Sequence, residues 1–192
     1  MTIAPITLQS QSNPITTKQL KLLVEAAIFV SEKPLSVDKM LDVLLAEYSL
    51  NKKLLITVID EIQQDYQKRG VNLIKVASGY RFQARQDLSL SLANFFTDKA
   101  PKYSRALLET LALIAYKQPI TRGEIEEIRG VAVGSYIMKT LLERNWIKTL
   151  GQKEVPGRPT LYGTTKEFLD YFSLTSLTQL PPLMSLDEKT KN

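Results

Sequence analysis

The sequence contains an internal repeat, which limits the folds it can adopt. When the 192-residue chain is shifted by 85 positions against itself, apolar, proline and hydroxyl residues recur in the same order. The shift sets one row against another: Leu22, Leu23, Ala27, Pro34, Leu35, Ser36, Met40 and Val43 against Leu107, Leu108, Ala112, Pro119, Ile120, Thr121, Ile125 and Ile128. A unit of that length is the size of a small domain, so the repeat predicts two related domains.

The first copy predicts three helices, near residues 17–31, 36–48 and 51–69. The first helix ends ahead of Pro34, because a proline disfavours helix in the residue before it, and Ser36 is suited to cap the next helix. Val71 to Val76 and Tyr80 to Ala84 have the composition of two strands around a short glycine-bearing loop. A further short helix is expected after Asp87.

The second copy predicts helices at about 104–117, 122–129 and 132–144, with Thr121 and Glu124 spaced as a capping box. Asn145 is suited to end the third helix in the left-handed conformation. Strands follow at residues 146–150 and 160–163, and Thr164 with Glu167 is expected to cap a last short helix. Three helices and a hairpin are the order of a winged-helix domain.

The predicted fold class is therefore mainly α with small β-hairpins (α+β), built as two tandem winged-helix domains. We expect a flexible N-terminal segment at 1–16, an N-terminal domain at 17–98, a C-terminal domain at 99–180 and a flexible tail at 181–192. The boundary between the domains is placed in the polar, proline-containing stretch at 97–103.

Composition argues against an enzyme. The chain has no cysteine and no histidine, so it lacks thiolate chemistry, the commonest general base and the commonest metal ligands. We expect no catalytic residues, no metal and no cofactor; an enzyme using carboxylates or lysine ranks a distant third. The chain has no run of about 18 apolar residues and no signal-like start, so an intracellular protein without a membrane span is expected.

Several segments of the sequence resemble one protein family. LETLALIAYKQPITRGEIEEIRGV, LLERNWI, GRPTLYGTTKEFLDYF and SLTQLP look like the segregation and condensation protein B (ScpB) family. The first domain resembles it more weakly, through LLVEAAIFVSEKPLSVDKM and SGYRFQAR, and the likeness runs from about residue 17 to 182.

The resemblance implies a non-catalytic accessory subunit of the SMC condensin complex, which acts in chromosome condensation and segregation. It implies a homodimer formed mainly by the N-terminal domain, binding of the kleisin subunit ScpA, and a cytoplasmic location associated with the nucleoid. ATP hydrolysis belongs to the SMC subunit, and this chain has no Gly-x-x-x-x-Gly-Lys-Ser/Thr phosphate loop.

Candidate kleisin-binding residues lie in the second domain. They are Tyr116, Lys117, Arg122, Arg129, Lys153, Arg158, Pro159 and Tyr162. Each also has a structural interpretation, such as core packing for Tyr116 and Tyr162, a solvated helix face for Arg122, or a turn for Arg158 and Pro159. Candidate dimer contacts in the first domain are Tyr66, Leu88, Leu92, Phe95 and Phe96. The chain departs from the family pattern at Ala132 and Val133, where a polar Asn or Ser is usual.

The alternative is a DNA-binding transcriptional regulator, because winged helices commonly insert their third helix in the major groove. Residues 17–100 carry 12 basic and 10 acidic residues (net +2), and residues 101–180 carry 11 and 8 (net +3). The first domain's third helix presents Asp60, Glu61 and Asp65, which repel phosphates. The third helix of the second domain presents Ser135, Lys139 and Arg144, which are few side chains for contacting base edges. Protein binding is favoured, with DNA contact weak or indirect through Lys148, Lys153 and Arg158.

Overall fold

The computed structural model describes residues 15–93, 95 and 102–182. These residues fall into two compact units. The first takes in the chain up to Ile74 together with Gly79–Leu92, and the second takes in Lys75–Ser78 and the chain from Ala93 onward. Both units combine helices with small antiparallel sheets, so the predicted fold class is confirmed. The domain limits at 16, 98 and 180 stay predictions, and most of both terminal segments lies outside the described residues.

The first unit follows the predicted order of helices and hairpin. Its elements are α1 (Thr17–Val30), α2 (Val37–Lys39), a π-helical turn (Met40–Leu44), a 3-10 turn (Ala46–Tyr48), α3 (Lys52–Tyr66), β1 (Val71–Val76), β2 (Gly79–Ala84), a 3-10 turn (Gln86–Leu88) and α4 (Ser89–Ala93). The two strands form a hairpin sheet. Thr16 caps α1 through a capping box with Gln19, which explains why the helix begins there.

The predicted second helix at 36–48 is only partly correct. Regular α-helix ends at Lys39, and the following turn is widened, with the Leu45 amide donating to the Met40 carbonyl at 2.9 Å. The wider turn carries both Met40 and Leu45 into the core, where both are buried. Burial of these two large side chains therefore accompanies the loss of regular helix geometry.

One hydrophobic core holds the first unit together. It joins one side of α1 to α3, to the π-helical turn and to the hairpin. Its buried residues are Leu20, Val24, Ile28, Leu35, Met40, Leu45, Leu55, Val58, Ile59, Ile62, Leu73 and Tyr80.

The second unit repeats this order with an additional strand and a final helix. Its elements are α5 (Arg105–Lys117), β3 (Ile120–Thr121), α6 (Arg122–Arg129), α7 (Ser135–Glu143), β4 (Ile147–Gln152), β5 (Thr160–Thr164), α8 (Lys166–Tyr171) and a 3-10 turn (Leu177–Gln179). The antiparallel sheet has the order β3-β5-β4. Its core residues are Leu107, Leu111, Ile114, Ala115, Ile120, Ile125, Val133, Met138, Leu141, Trp146, Ile147 and Phe168.

Local signals in the second unit give mixed outcomes. The capping box of Thr121 and Glu124 is confirmed, and Asn145 adopts the left-handed conformation with φ of 54°. The predicted cap of the last helix is wrong by one residue: Thr165 accepts from the Phe168 amide at 3.1 Å. Thr164 instead ends β5, and its amide donates to the Gln118 side chain at 2.7 Å.

The predicted start of the third helix at residue 132 is also wrong, because α7 begins at Ser135. Val133 precedes the helix and is fully buried. Its amide donates to the Glu126 carboxylate at 2.8 Å and its carbonyl accepts from Arg122 at 2.6 Å. Side-chain groups of α6 thus satisfy the backbone that a helix would otherwise have paired.

The two copies of the repeat place their first helices differently. Leu107 is buried on α5, whereas Leu22, its partner in the sequence repeat, is 59% exposed on α1. Helix α1 ends four residues before Pro34, and α5 ends two residues before Pro119. Because two residues rotate a helix by about 200°, the repeat positions face nearly opposite sides in the two helices.

Gly79 has a steric requirement that the sequence repeat does not reveal. Its φ is +147°, and a Cβ atom there would lie 2.3 Å from the Leu35 carbonyl oxygen, in backbone that pairs with Tyr80. We expect Gly79→Ala to lower the free energy of unfolding by about 3 kcal/mol, through strain and the displaced backbone. Urea unfolding followed by circular dichroism measures the change.

The matched control for this test is Gly70→Ala in the same unit. A Cβ at Gly70 meets only the Leu88 side chain, at an ordinary 3.6 Å. We expect this variant to unfold within about 1 kcal/mol of wild type. Equal unfolding midpoints for the two variants would contradict the steric argument.

Candidate partner-binding surface

An apolar groove runs along α5 in the second unit, with a volume of about 360 Å³. Leu108, Ala112, Ala115 and Tyr116 share one side of α5, because residues three, four and seven positions apart lie on the same side of a helix. The small Ala112 and Ala115 leave a depression between the larger residues. The full lining is Leu108, Leu111, Ala112, Ala115, Tyr116, Phe168, Phe172, Leu174, Leu180 and Pro181. A groove of this size and composition suits a large apolar side chain.

The second wall of the groove comes from the segment that follows α8. The Leu174 amide donates to the Leu169 carbonyl at 2.8 Å, and Leu180 closes the 3-10 turn on Leu177 at 3.1 Å. The Tyr116 hydroxyl donates to the Pro181 carbonyl and ties this segment to the end of α5. Tyr116 therefore shapes the groove as well as lining it.

A second depression of about 370 Å³ lies beyond the end of α5. Its lining is Lys117, Pro119, Ile120, Glu124, Glu127 and Ile128. Ile128 is exposed, and the Lys153 ammonium donates to the Glu124 carboxylate at 2.5 Å at its edge. Three of the predicted kleisin contacts, Tyr116, Lys117 and Lys153, thus lie at these two depressions.

The electrostatics of the second depression centre on Glu124. The hydrogen bond from Lys153, followed by the hydrogen bonds from the Thr121 amide and hydroxyl, lowers the pKa of Glu124 from 4.5 to about 2. The carboxylate joins the amino end of α6 to Lys153, the first residue of the loop between β4 and β5 (residues 153–159), which with these two strands forms the wing of the second unit. Glu124 therefore stays charged at neutral pH and holds Lys153 in place.

Arg122 and Arg129 are engaged within the unit. Arg122 donates to Glu126 at 3.0 Å and to the Val133 carbonyl at 2.6 Å, which joins α6 to the backbone ahead of α7. The Arg129 side chain is only 9% exposed and donates to Glu109 on α5 at 3.3 Å. As predicted binding residues they remain untested, and their present contacts are internal.

The remaining predicted contacts lie on the wing. Arg158 has a φ of 38°, and its amide donates to the Val155 carbonyl at 2.9 Å, which closes the loop. The Pro159 carbonyl accepts from the Lys153 amide at 2.9 Å. Tyr162 is half-buried on β5, between Ile120 on β3 and Thr149 on β4. Arg158 is exposed at the loop tip, while Pro159 and Tyr162 shape the loop and sheet.

The predicted dimer contacts extend from α3 to Phe95, which follows α4 and is grouped with the second unit. The Tyr66 hydroxyl donates to Glu25 at 2.5 Å, and its ring lies 4.7 Å from that of Phe82. Leu88 and Phe95 are exposed, Leu92 is half-buried, and Phe96 lies outside the described residues. Sequence reasoning missed Leu22, Phe29 and Val30 on α1, which are 59, 71 and 77% exposed.

Among residues 15–93, 95 and 102–182, no group of three or more carboxylate, imidazole or thiol side chains could hold a metal ion. No helix in the same ranges is both long enough and apolar enough to cross a membrane.

The Glu124 ion pair gives a pH-dependent prediction. Because the folded pKa is about 2, below the usual 4.5, the stabilisation is present above pH 4.5 and is lost as the pH falls towards 2. We expect Glu124→Gln to lower the free energy of unfolding by about 0.5–1 kcal/mol at pH 7, since the pair is partly exposed. The difference from wild type should shrink between pH 4.5 and 2.5, measured by thermal unfolding.

Glu127→Gln is the matched control, since it makes the same charge change on the exposed side of the same helix. Its unfolding temperature should follow that of wild type at every pH. An equal loss at pH 7 for both variants would show that net charge, and not the Lys153–Glu124 pair, causes the effect.

Comparison with known proteins gives matches along nearly the whole chain. A family model described as "Segregation and condensation complex subunit ScpB" matches residues 22–183. A "Segregation and condensation protein B homolog" from Coxiella burnetii is 52% identical over 163 residues, which cover 85% of this chain and 78% of that protein. A "Segregation and condensation protein B" from Myxococcus xanthus is 37% identical over 96% of this chain and 55% of its own length.

A solved structure of ScpB from Mycobacterium tuberculosis is 28% identical, with coverage of 85% of this chain and all of that chain, at a TM-score of 0.39. The assignment rests on the sequence matches, which extend over both units. Because the family model spans 162 of the 192 residues (22–183), the chain belongs to the segregation and condensation complex subunit ScpB family.

Proposed function

We propose that this protein is a non-catalytic subunit of the SMC–ScpA–ScpB condensin complex, and that it acts by dimerising and by binding the ScpA kleisin. Membership of a family of segregation and condensation complex subunits supports the assembly. The observation that carries the binding role is the apolar groove along α5, because none of the described residues fills it and it can take a side chain of another protein.

The chemistry of the groove indicates what its partner must supply. Its lining is almost entirely apolar, and Leu108 and Phe172 at its rim are 42 and 40% exposed. Burying one large apolar anchor there would contribute about 1.5–3 kcal/mol. An extended or helical kleisin segment with a Leu, Ile, Phe or Met anchor fits this site, and such segments commonly order as they bind.

Charge near the groove favours an acidic segment. Lys117 is exposed next to Tyr116, and Arg105 is exposed one turn before Leu108. Cations thus lie near both ends of the α5 groove, although Arg105 also pairs with Glu109 at 2.7 Å. Acidic residues on either side of the apolar anchor would gain modest attraction from these groups.

DNA recognition receives less support from the second unit. Helix α7 exposes Tyr136 and Lys139, but Lys139 lies 3.7 Å from Glu143 on the same helix. On the neighbouring wing, Lys153 pairs with Glu124 of α6. Because DNA affinity comes mostly from cations free to contact phosphates, this surface suits at most weak, salt-sensitive contact.

The proposal is tested with a kleisin fragment encoded in the same genome, retained by the immobilised full chain at moderate salt. Ala112→Leu fills the groove floor with a good helix former and should leave the fold intact. We expect it to weaken kleisin affinity at least tenfold, measured by calorimetry, because the anchor can no longer enter.

Ala132→Leu is the control for this measurement. It makes the same change at an exposed position of the same unit, outside the groove lining, and should bind like wild type. Unchanged affinity of Ala112→Leu would exclude the groove as the site. No retention of the fragment by wild type would refute kleisin binding, and tight operator binding at physiological salt would favour the regulator alternative.

A further inference from the structure

The outer side of α1 carries an apolar surface that the proposed kleisin site does not use. We define the α1 stripe as Leu22, Ala26, Phe29 and Val30, which follow one another at helical spacings on one side of α1. Leu22, Phe29 and Val30 are all more than half exposed in the structure. Large apolar residues grouped in this way mark an interaction site.

Helix α1 is apolar on both of its sides. Leu20, Val24 and Ile28 on the inner side belong to the core of the first unit. Between Leu22 and Val30 only Glu25 is charged, and its carboxylate accepts from the Tyr66 hydroxyl at the side of the helix. A helix that is apolar on two opposite sides typically packs on both, so the stripe is expected to be covered in the assembled protein.

In the second copy of the repeat, the apolar side chains at these positions are buried within a single unit. Leu107, Ile114 and Ala115, which stand in the sequence repeat where Leu22, Phe29 and Val30 stand, are buried in their own core. On α1 the same apolar positions are turned outward by the longer connection to Pro34. The first unit therefore retains apolar side chains for which its own core has no place.

We infer that the α1 stripe is the interface between two copies of this chain, packed antiparallel about a two-fold axis that passes near Ala26. This inference rests on the proposed homodimer and identifies its surface. A two-fold interface must be complementary to itself, since the same patch serves both copies. The stripe meets this requirement because its small residue is central and its large residues lie on either side.

The antiparallel register pairs residues whose numbers add up to 52. Ala26 faces itself, which lets the helix axes approach to about 8 Å. Leu22 then faces Val30 of the second copy, and Phe29 faces its Leu23. Within α1 no like charges are opposed in this register, because Glu25 faces Ala27 of the second copy and Lys21 faces its Ser31 at the end of the helix. The opposed helix dipoles add a small attraction.

The surface continues from α1 onto the hairpin. The ring of Phe29 lies 6.0 Å from that of Phe82 on β2, which in turn lies 4.7 Å from that of Tyr66. A stable interface buries about 800 Å² on each partner, more than a single helix side supplies. The aromatic extension therefore belongs to the proposed interface, and of the sequence-predicted dimer contacts it includes Tyr66 but not Leu88, Leu92 or Phe95.

The absence of cysteine from the chain permits a direct test of the register in the full protein. Ala26→Cys places a single thiol next to its symmetry mate, within the distance that a disulfide needs. We expect mild oxidation to convert most of this variant to a covalent dimer on a non-reducing gel. Lys53→Cys, a control at an exposed position of α3, should remain mostly uncrosslinked under the same conditions.

Phe29→Glu tests the same surface without crosslinking. Phe29 is largely exposed, so the fold and its circular dichroism should be kept, whereas a carboxylate buried at the interface should raise the dimer dissociation constant at least 100-fold. Sedimentation equilibrium of the full chain should show a monomer for this variant and a dimer for wild type. Leu90→Glu, at an exposed position of α4, should stay dimeric.

The outcomes separate this inference from the proposed function. A wild-type dimer that survives Phe29→Glu, with no crosslink through Ala26→Cys, overturns the α1 interface while leaving the homodimer intact. Loss of kleisin binding by a Phe29→Glu variant that stays dimeric would overturn it in favour of the kleisin as occupant. A wild-type monomer at all concentrations would refute the homodimer itself.

Discussion

In both units a short stretch after the proline pairs with the returning strand of the hairpin, and this pairing fixes the first helix against the sheet. In the first unit Leu35 and Tyr80 exchange two backbone hydrogen bonds of 2.9 Å, and in the second Ile120 pairs with Tyr162. These contacts join the end of the first helix to the wing, far apart in sequence. Because the backbones approach so closely, no side chain fits at Gly79 in the first unit.

The second unit adds side-chain bonds to this junction. The Gln118 side chain accepts from the Thr164 amide at 2.7 Å and also bonds its hydroxyl. A Cβ at Gly163 next to it would lie 2.6 Å from the Leu150 side chain, which would have to move to make room. The junction sets the position of α5 against the sheet, and with it the groove between α5 and the segment after α8. The candidate binding site thus depends on the strand pairing at the end of α5.

The length of the connection before each proline explains why two similar sequences give different surfaces. Two additional residues in the first unit turn the repeat positions of α1 outward, and the apolar stripe follows from that rotation. Spacing within a helix was readable from the sequence, so α1, α5 and α6 and the capping box at Thr121 could be predicted. Which side of a helix faces the core could not be predicted in the same way, because it depends on where the helix ends. The same limit explains why three details were not predicted: the helix cap at Thr165, the position of Val133 ahead of α7 and the internal contact of Arg129. Each depends on contacts with other elements of the unit.

Electrostatics adds a reason to regard these winged helices as scaffolds for protein contacts. Lys21 lies 2.9 Å from Asp65, Lys153 lies 2.5 Å from Glu124, and Arg129 lies 3.3 Å from Glu109. Each pair joins two elements of one unit, so these cations hold the fold together and are less available to phosphates. Each surface argued to bind, the groove along α5 and the stripe on α1, is instead apolar. Apolar burial is the main source of affinity between proteins and a minor one for DNA. The paired cations and the exposed apolar side chains therefore both favour protein binding over DNA recognition.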